Sequence, residues 1–429
     1  MNKIFVIIAL FSSTLLMAQR PSPGAIQENA ICIKGATLHI GNGQVLENAD
    51  IVFDNGKITF VGRNANTGNA QVMDAQGKHV YPGFILLNSI LGLVEVDAVK
   101  ATEDFTEMEE YHPEVRSLVA FNTDSKIIPT VRKNGVLFVQ STLKSSTVWG
   151  TSSIMNLDAW NWEDAAVKVD NGVHIDFPSL TNPNWRRDQS DKNNKVNEEL
   201  NKLKDLLNRA FVYSSNNKEK DFKLEALKPI FTGEKTVFVT VQDVYEAKQA
   251  LELFDSYKGV KLVFNTPADL TSIADELNKK SVAVVLSRIH RLPTSPESDV
   301  SEAYALPKKY YDAKILFSID YEGDMEAMGS RNLPFLAGTA VGYGLPYEEA
   351  VKSISLNAAK IVGIDSDYGS LEVGKSASLF ISDGDALDMK SNNVIFAFID
   401  GRMLKLTSHQ EELQRMYLEK YKQENKIKD

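Results

Sequence analysis

The sequence predicts an α/β protein: a (β/α)8 TIM-like barrel inserted in a small β-sandwich that is split between N-terminal and C-terminal segments. Three observations predict it. Residues 30–62 alternate apolar and polar side chains, as half-buried strands do. Continuous apolar runs then recur between stretches of helical periodicity, the pattern of parallel strands covered on both faces. After residue 363 the strand pattern returns and completes the small sheet.

The chain opens with "MNKIFVIIALFSSTLLMA", residues 1–18, which reads as a secretory signal peptide. Lys3 supplies the positive start, Ile4 to Leu16 the apolar run and Ala18 a small residue before cleavage. That run is short for a bilayer, and Ser12, Ser13 and Thr14 interrupt it. A membrane anchor is the alternative reading of the same residues. Cleavage implies a periplasmic or secreted bacterial protein with no membrane association afterwards. Cys32 is the sole cysteine, so neither an intramolecular disulfide nor a cysteine metal cluster can form, and it reads as a strand residue.

Residues 19–80 and 363–407 form the predicted composite sandwich. Within it, Asn55-Gly56 divides "ADIVFDNGKITFVG" into a hairpin, because both turn residues must accept positive φ. The predicted barrel spans 81–362. Its strands are "YPGFILLN", "VLFVQST" (136–142), "HIDFPSL" (174–180), "TVFVTVQ" (236–242), "VKLVFNT" (260–266), "VAVVLSR" (282–288) and "KILFSID" (314–320). "SSIMNLDAW" is the weakest candidate, and it brings the count to eight. An amphipathic helix with Val196, Leu200, Leu203 and Leu207 lies within 184–220. Residues 346–364 predict one helix entered at Pro346, with Ala350, Ile354, Ala358 and Ile361 on one face. Residues 408–429 predict a C-terminal helix fraying into a charged tail.

The chain has 429 residues, 43% hydrophobic and 24% charged, with a net charge of −10. The only basic cluster is the Lys-rich C-terminus, so a nucleic-acid partner is not expected. No nucleotide-binding loop, HExxH or GxSxG occurs.

"GKHVYPGFI" leads into the first barrel strand, and "LNAAKIVGIDSDYGSLEVGKSASLFIS" with "VIFAFIDGRML" leads out. Over residues about 30–407 this arrangement resembles the amidohydrolase superfamily, in particular its imidazolonepropionase-like branch, which hydrolyses carbon–nitrogen bonds other than peptide bonds. The resemblance implies a zinc or other divalent ion at the C-terminal mouth of the barrel. Histidines from the first, fifth and sixth strands would hold it, and an aspartate from the eighth would hold it and shuttle protons. Such an ion lowers the pKa of a bound water toward neutrality. Here the pattern departs: "LLNSI" puts Asn88 and Ile90 at the His-x-His positions, and Thr240 and Asn265 match the two later histidines. Asp320 in "FSID" keeps the aspartate. The metal site is thus expected to be lost, with no metal ligand and no cofactor.

Asp320 and His290 are the candidate catalytic residues, and Asn88, Ser89, Thr240, Asn265, Arg288 and Arg291 the candidate substrate-binding ones. His290 follows the seventh strand at the mouth, where loops carry the sites of this fold. His39, His79, His112, His174 and His409 read as structural. The acidic run 95–114 reads as a solvated loop, Trp160 and Trp162 as packing or ligand-stacking residues, and Asp320 with Glu322 and Asp324 as a potential coupled acid group. Three functions remain open. The first is a non-catalytic homologue that binds a small molecule or supports an active amidohydrolase paralogue. The second is a carbon–nitrogen hydrolase with an unusual site using Asp320 and His290. The third is a structural or interaction protein with a plugged barrel. A homo-oligomer is compatible with each.

Overall fold

The computed structural model describes residues 23–144, 147–179, 189–215, 219–293, 297–323 and 325–423. The signal peptide expected at 1–18, Asp324 and residues 424–429 of the tail lie outside them.

The chain begins with β1 (Ile31–His39), β2 (Val45–Asp54) and β3 (Lys57–Gly62), successive antiparallel partners. Asn55 and Gly56 take φ of 48° and 77°, so the expected hairpin turn forms where it was read. β4 (Gln71–Asp74) and β5 (His79–Pro82) then run parallel to β1. Cys32 lies in β1 and is fully buried.

A second sheet follows in chain order: β6 (Phe84–Ser89), β7 (Val136–Ser141), β8 (Val148–Asn156), β9 (Ala166–Asp176), β10 (Thr236–Thr240), β11 (Lys261–Thr266), β12 (Ala283–Leu286) and β13 (Phe317–Ile319). Each predicted strand overlaps one of these eight, but β9 begins at Ala166 and ends at Asp176 where 174–180 was expected (residue 180 lies outside the described residues), and β8 runs antiparallel to both β7 and β9. The link 142–147 explains this. It is too short for the crossover that returns a chain parallel to its neighbour, so β7 and β8 close as a hairpin. Helices fill the later links, as a parallel sheet requires. In the helix Val244–Asp255, Asp243 accepts a hydrogen bond from the Glu246 amide, and Ala247, Ala250, Leu251 and Phe254 form the buried face.

The barrel is nearly closed. Among the described residues β6 and β13 share no ladder, and a helical segment bridges the gap. The single helix expected from Pro346 is divided into Tyr347–Ser353 and Leu356–Val362. The break leaves the Ile354 carbonyl to accept from the Ile85 amide at 2.8 Å, and Asn357 Nδ2 donates to the Phe317 carbonyl at 3.0 Å. A continuous helix would have used the Ile354 carbonyl internally.

The chain then returns to the first sheet through β14 (Leu379–Ser382), β15 (Val394–Ile399) and β16 (Arg402–Met403), β14 lying antiparallel to β5. A terminal helix, His409–Gln423, buries no residue. Sheet and barrel meet through aromatic rings. Phe380 of β14 stands edge-on to Phe84 of β6 at 5.0 Å and stacks on Tyr81 at 5.2 Å, all three fully buried. Phe380→Ala is expected to cost about 3–5 kcal/mol in urea unfolding, because the ring fills the seam between the two sheets. A loss under about 1 kcal/mol would mean the seam collapses around the cavity.

Candidate functional site

Parallel strands end together, so their last side chains form a row. Asp176 (β9), Thr240 (β10), Asn265 (β11), Val285 (β12) and Ser318 (β13) occupy one register level. Asn265 is 1% exposed, and neither its amide nitrogen nor its amide oxygen has a partner among the described residues. Thr240 Oγ1 beside it has none either, nor does Ser141 Oγ at the end of β7. Each such buried group leaves about 1–3 kcal/mol of desolvation uncompensated.

At the open edge Asn88 sits in the left-handed region, φ 46°, where the β6–β7 register slips. Its backbone amide donates to Gln140 Oε1 at 3.1 Å, and Nδ2 donates to Asp320 Oδ2 at 3.3 Å across the gap. Asn88 Oδ1 has no partner, although the residue is 0% exposed. Asp320, also 0% exposed, accepts a second bond from the Tyr321 amide at 2.6 Å. Burial, with the Glu326 charge second, pushes its carboxyl well above the usual carboxylate range.

Beside this pair lies a charge cluster. Lys144, on the link between β7 and β8, donates to Glu326 Oε2 at 2.6 Å and Glu322 Oε1 at 3.3 Å. Glu322 also accepts from Ser287 Oγ at 2.8 Å, and Glu326 from the Ile90 amide at 3.0 Å. Burial alone would lower the Lys144 pKa, but the Glu322, Glu326 and Asp320 carboxylates outweigh it and raise it. Burial opposes ionisation of Glu322, and the Lys144 ammonium overcomes it, holding that carboxyl below its ordinary value.

His174 lies deeper, fully buried, stacked on Phe238 at 4.7 Å and near Trp149 at 6.0 Å. Its Nε2 meets Ser152 Oγ at 2.9 Å, and that hydroxyl donates onward to Asn171 Oδ1. Nε2 therefore carries the proton, and Nδ1 is a lone pair without a partner. Burial, then Lys144, lowers its pKa to about 3.

Asn88, Thr240, Asn265 and Asp320 thus gather at the strand ends. The remaining candidates are placed otherwise. Ser89 Oγ accepts from the Leu91 amide at 3.2 Å and so holds its own chain. Arg291 donates to the Pro267 carbonyl at 2.6 Å, and Arg288 lies 5.4 Å over the Tyr321 ring. His290 Nε2 meets Thr339 Oγ1 at 2.7 Å, and that hydroxyl donates to the Phe335 carbonyl, so His290 is the donor. The ring lines a cleft of about 330 Å³ with Thr339, Tyr347, Asp385 and Leu387, a lining that does not include Asp320. Trp160 is exposed, while Trp162 packs on the core. Lys144, Glu326, Asp176 and Gln140 were not singled out by sequence. For Lys144 the one available signal was a lone cation directly after an apolar strand.

A zinc-type ion does not fit these residues. The positions at which the resemblance expects histidines present amide and hydroxyl groups at Asn88, Thr240 and Asn265, Ile90 is a buried hydrocarbon, and the carboxylates next to Asp320 already hold an ammonium. Among the described residues no group of three or more His, Cys, Asp or Glu side chains converges as metal ligands do.

Burial, followed by the Glu322 charge, raises the Asp176 pKa to about 7 from 3.8. Between those values the folded state binds a proton that the unfolded chain does not. Stability from this group is therefore present at low pH and lost as pH rises through about 7. Asp176→Asn is expected to stabilise the protein more at pH about 8 than at pH about 5, read from urea midpoints. Equal gains at both pH values would contradict a proton on Asp176.

Residues 231–404 match the Amidohydrolase family. Imidazolonepropionase of Syntrophobacter fumaroxidans (strain DSM 10017 / MPOB) is 27% identical over 161 residues, 33% of this chain. The match spans only 38% of that relative's length. Among solved structures, an amidohydrolase from Thermotoga maritima MSB8 superposes with a TM-score of 0.75 at 23% identity, covering 87% of this chain and 99% of that one. A putative prolidase from Bifidobacterium longum gives 0.52 at 14% identity, covering 92% of this chain and 100% of its own. These two likenesses establish the fold, a nearly closed eight-stranded barrel sheet with a second sheet beside it. Residues 231–404 thus match the Amidohydrolase family in sequence, and the described chain shares the fold of the solved amidohydrolase.

Proposed function

We propose that this protein is an exported, metal-independent binding protein whose barrel mouth takes a small polar molecule. The observation that carries the reading is Asn265: a carboxamide 1% exposed with both its donor and its acceptor unpartnered, in register with Thr240, whose hydroxyl is unpartnered too. Buried polar groups are almost always hydrogen-bonded, so unpaired ones at the ligand-binding face of a barrel call for a partner from outside. A small molecule matching a donor–acceptor edge supplies that partner.

Hydrolysis is less well supported by the same residues. Asp320 is engaged by Asn88 Nδ2 and the Tyr321 amide, and His290 is committed to Thr339, so the two do not work on one proton. The half of the site that would generate hydroxide in the family is replaced by Asn88, Ile90, Thr240 and Asn265. The relation to imidazolonepropionase keeps a carbon–nitrogen hydrolase as the competing reading. An active amidohydrolase paralogue as partner, and a periplasmic or secreted location, belong to the same proposal.

Asn265→Leu tests it. Leucine fills nearly the same volume without polar atoms, so the empty protein is expected to gain about 1–3 kcal/mol in urea unfolding. Small molecules released from the purified wild type by denaturation and identified by mass spectrometry are expected to be missing from the variant. A destabilised variant, or the same molecule recovered from both proteins, would overturn the binding reading. Turnover of a cyclic-amide and acyl-amino-acid panel, lost in Asp320→Asn, would replace it with the hydrolase.

A further inference from the structure

We propose that the facing rings of His39 and His79 form a one-proton latch at the seam between the small sheet and the barrel, closed while at most one ring is charged and released when both are. His39 ends β1 and is 5% exposed, and His79 opens β5 beside it. His39 Nδ1 meets Glu348 Oε1 at 2.7 Å, on the helix Tyr347–Ser353, and its Nε2 meets His79 Nδ1 at 3.0 Å. A carboxylate accepts, so His39 Nδ1 carries a proton. The line between the two rings then has room for one proton more. Either His79 Nδ1 donates to a neutral His39, or a charged His39 donates to the His79 Nδ1 lone pair. With both rings charged, two N–H groups meet head to head and the contact cannot form.

The surroundings decide which ring leaves. His39 lies face to face with Tyr81 at 4.2 Å, and the Tyr81 hydroxyl is bonded to the Tyr347 hydroxyl and the Ala386 amide, so the deeper ring is clamped. Among the described residues Glu348 Oε2 has no partner, and that carboxylate is held through His39 alone. His79 is only partly buried and has water to turn into. Burial, followed by His39, lowers the His79 pKa, while Asp385 on the loop after β14 acts in the opposite sense. Lys78, one residue before His79, is paired with Asp383, and Glu349, next to Glu348, with Lys352. In the unfolded chain each ring takes a proton near pH 6.5, whereas the closed latch takes no more than one. Stability from the contact is therefore present above that pH and lost as pH falls below it.

His79→Gln is the pH-indifferent control, because a glutamine amide can turn either its oxygen or its nitrogen toward His39 Nε2. Between pH about 7 and about 5, the folding equilibrium constant of wild type is expected to fall more steeply than that of His79→Gln, by up to about tenfold per pH unit, read from urea unfolding. Equal slopes would overturn the latch. Histidine-selective NMR of the wild type gives a second reading that needs no variant. The His79 ring is expected to take its proton at lower pH in the folded than in the urea-unfolded chain, and to lose its contact with His39 as it does. A ring that charges at the same pH or higher, or two charged rings that keep the contact, would overturn the proposal. Loss of ligand binding in Asn265→Leu leaves both readings unchanged, so the two proposals fail separately.

Discussion

A buried ammonium must be surrounded by negative charge, and that requirement organises the mouth of this barrel. Lys144 draws Glu322 and Glu326 inward, and these in turn fix the Ile90 amide at the end of the first barrel strand and Ser287 after the seventh. Elements far apart in sequence are thereby clamped around one point charge. The neighbouring Asp320, left with two neutral donors, is pushed toward its uncharged form by its surroundings. Charge balance in this barrel is met from inside the chain.

The antiparallel β8 puts Lys144 where it is needed. A hairpin keeps Lys144 at the end of the barrel that bears the site, whereas a crossover helix would lead the chain back to the opposite rim. The Lys144 amide donates to the Phe105 carbonyl, and the Asp176 amide donates to the Thr147 carbonyl, so both ends of the link are pinned to neighbouring segments. The reversed strand and the buried ammonium therefore lie side by side.

Much of this was legible in the sequence. Strand composition placed all eight barrel strands, because apolar runs report burial, but periodicity carries no direction and so could not reveal that β8 is reversed. Strand ends gave Asn88, Thr240, Asn265 and Asp320 together, since side chains at the ends of parallel strands meet by geometry. His290 was misleading for a different reason. Its position after a strand put it near the mouth, but the Thr339 hydroxyl that engages it lies 49 residues away on a helix no local pattern connects to it. Lys144 was hidden by the same distance: its carboxylate partners are 178 and 182 residues further on. A lysine following a strand is ordinarily a solvated residue, and only the folded chain distinguishes this one.

The pairing of β5 with β14 carries a consequence for how the molecule assembles. The ion pair between Lys78 and Asp383, beside that ladder, joins positions 305 residues apart. While the barrel region is being made, β5 has an open edge on the side that β14 will cover, and the hydrogen-bonding groups of that edge remain unmatched. Closing so long a loop is slow, and strand edges waiting for a partner invite association with other chains. The small sheet therefore cannot be completed until residues 379–382 have been made.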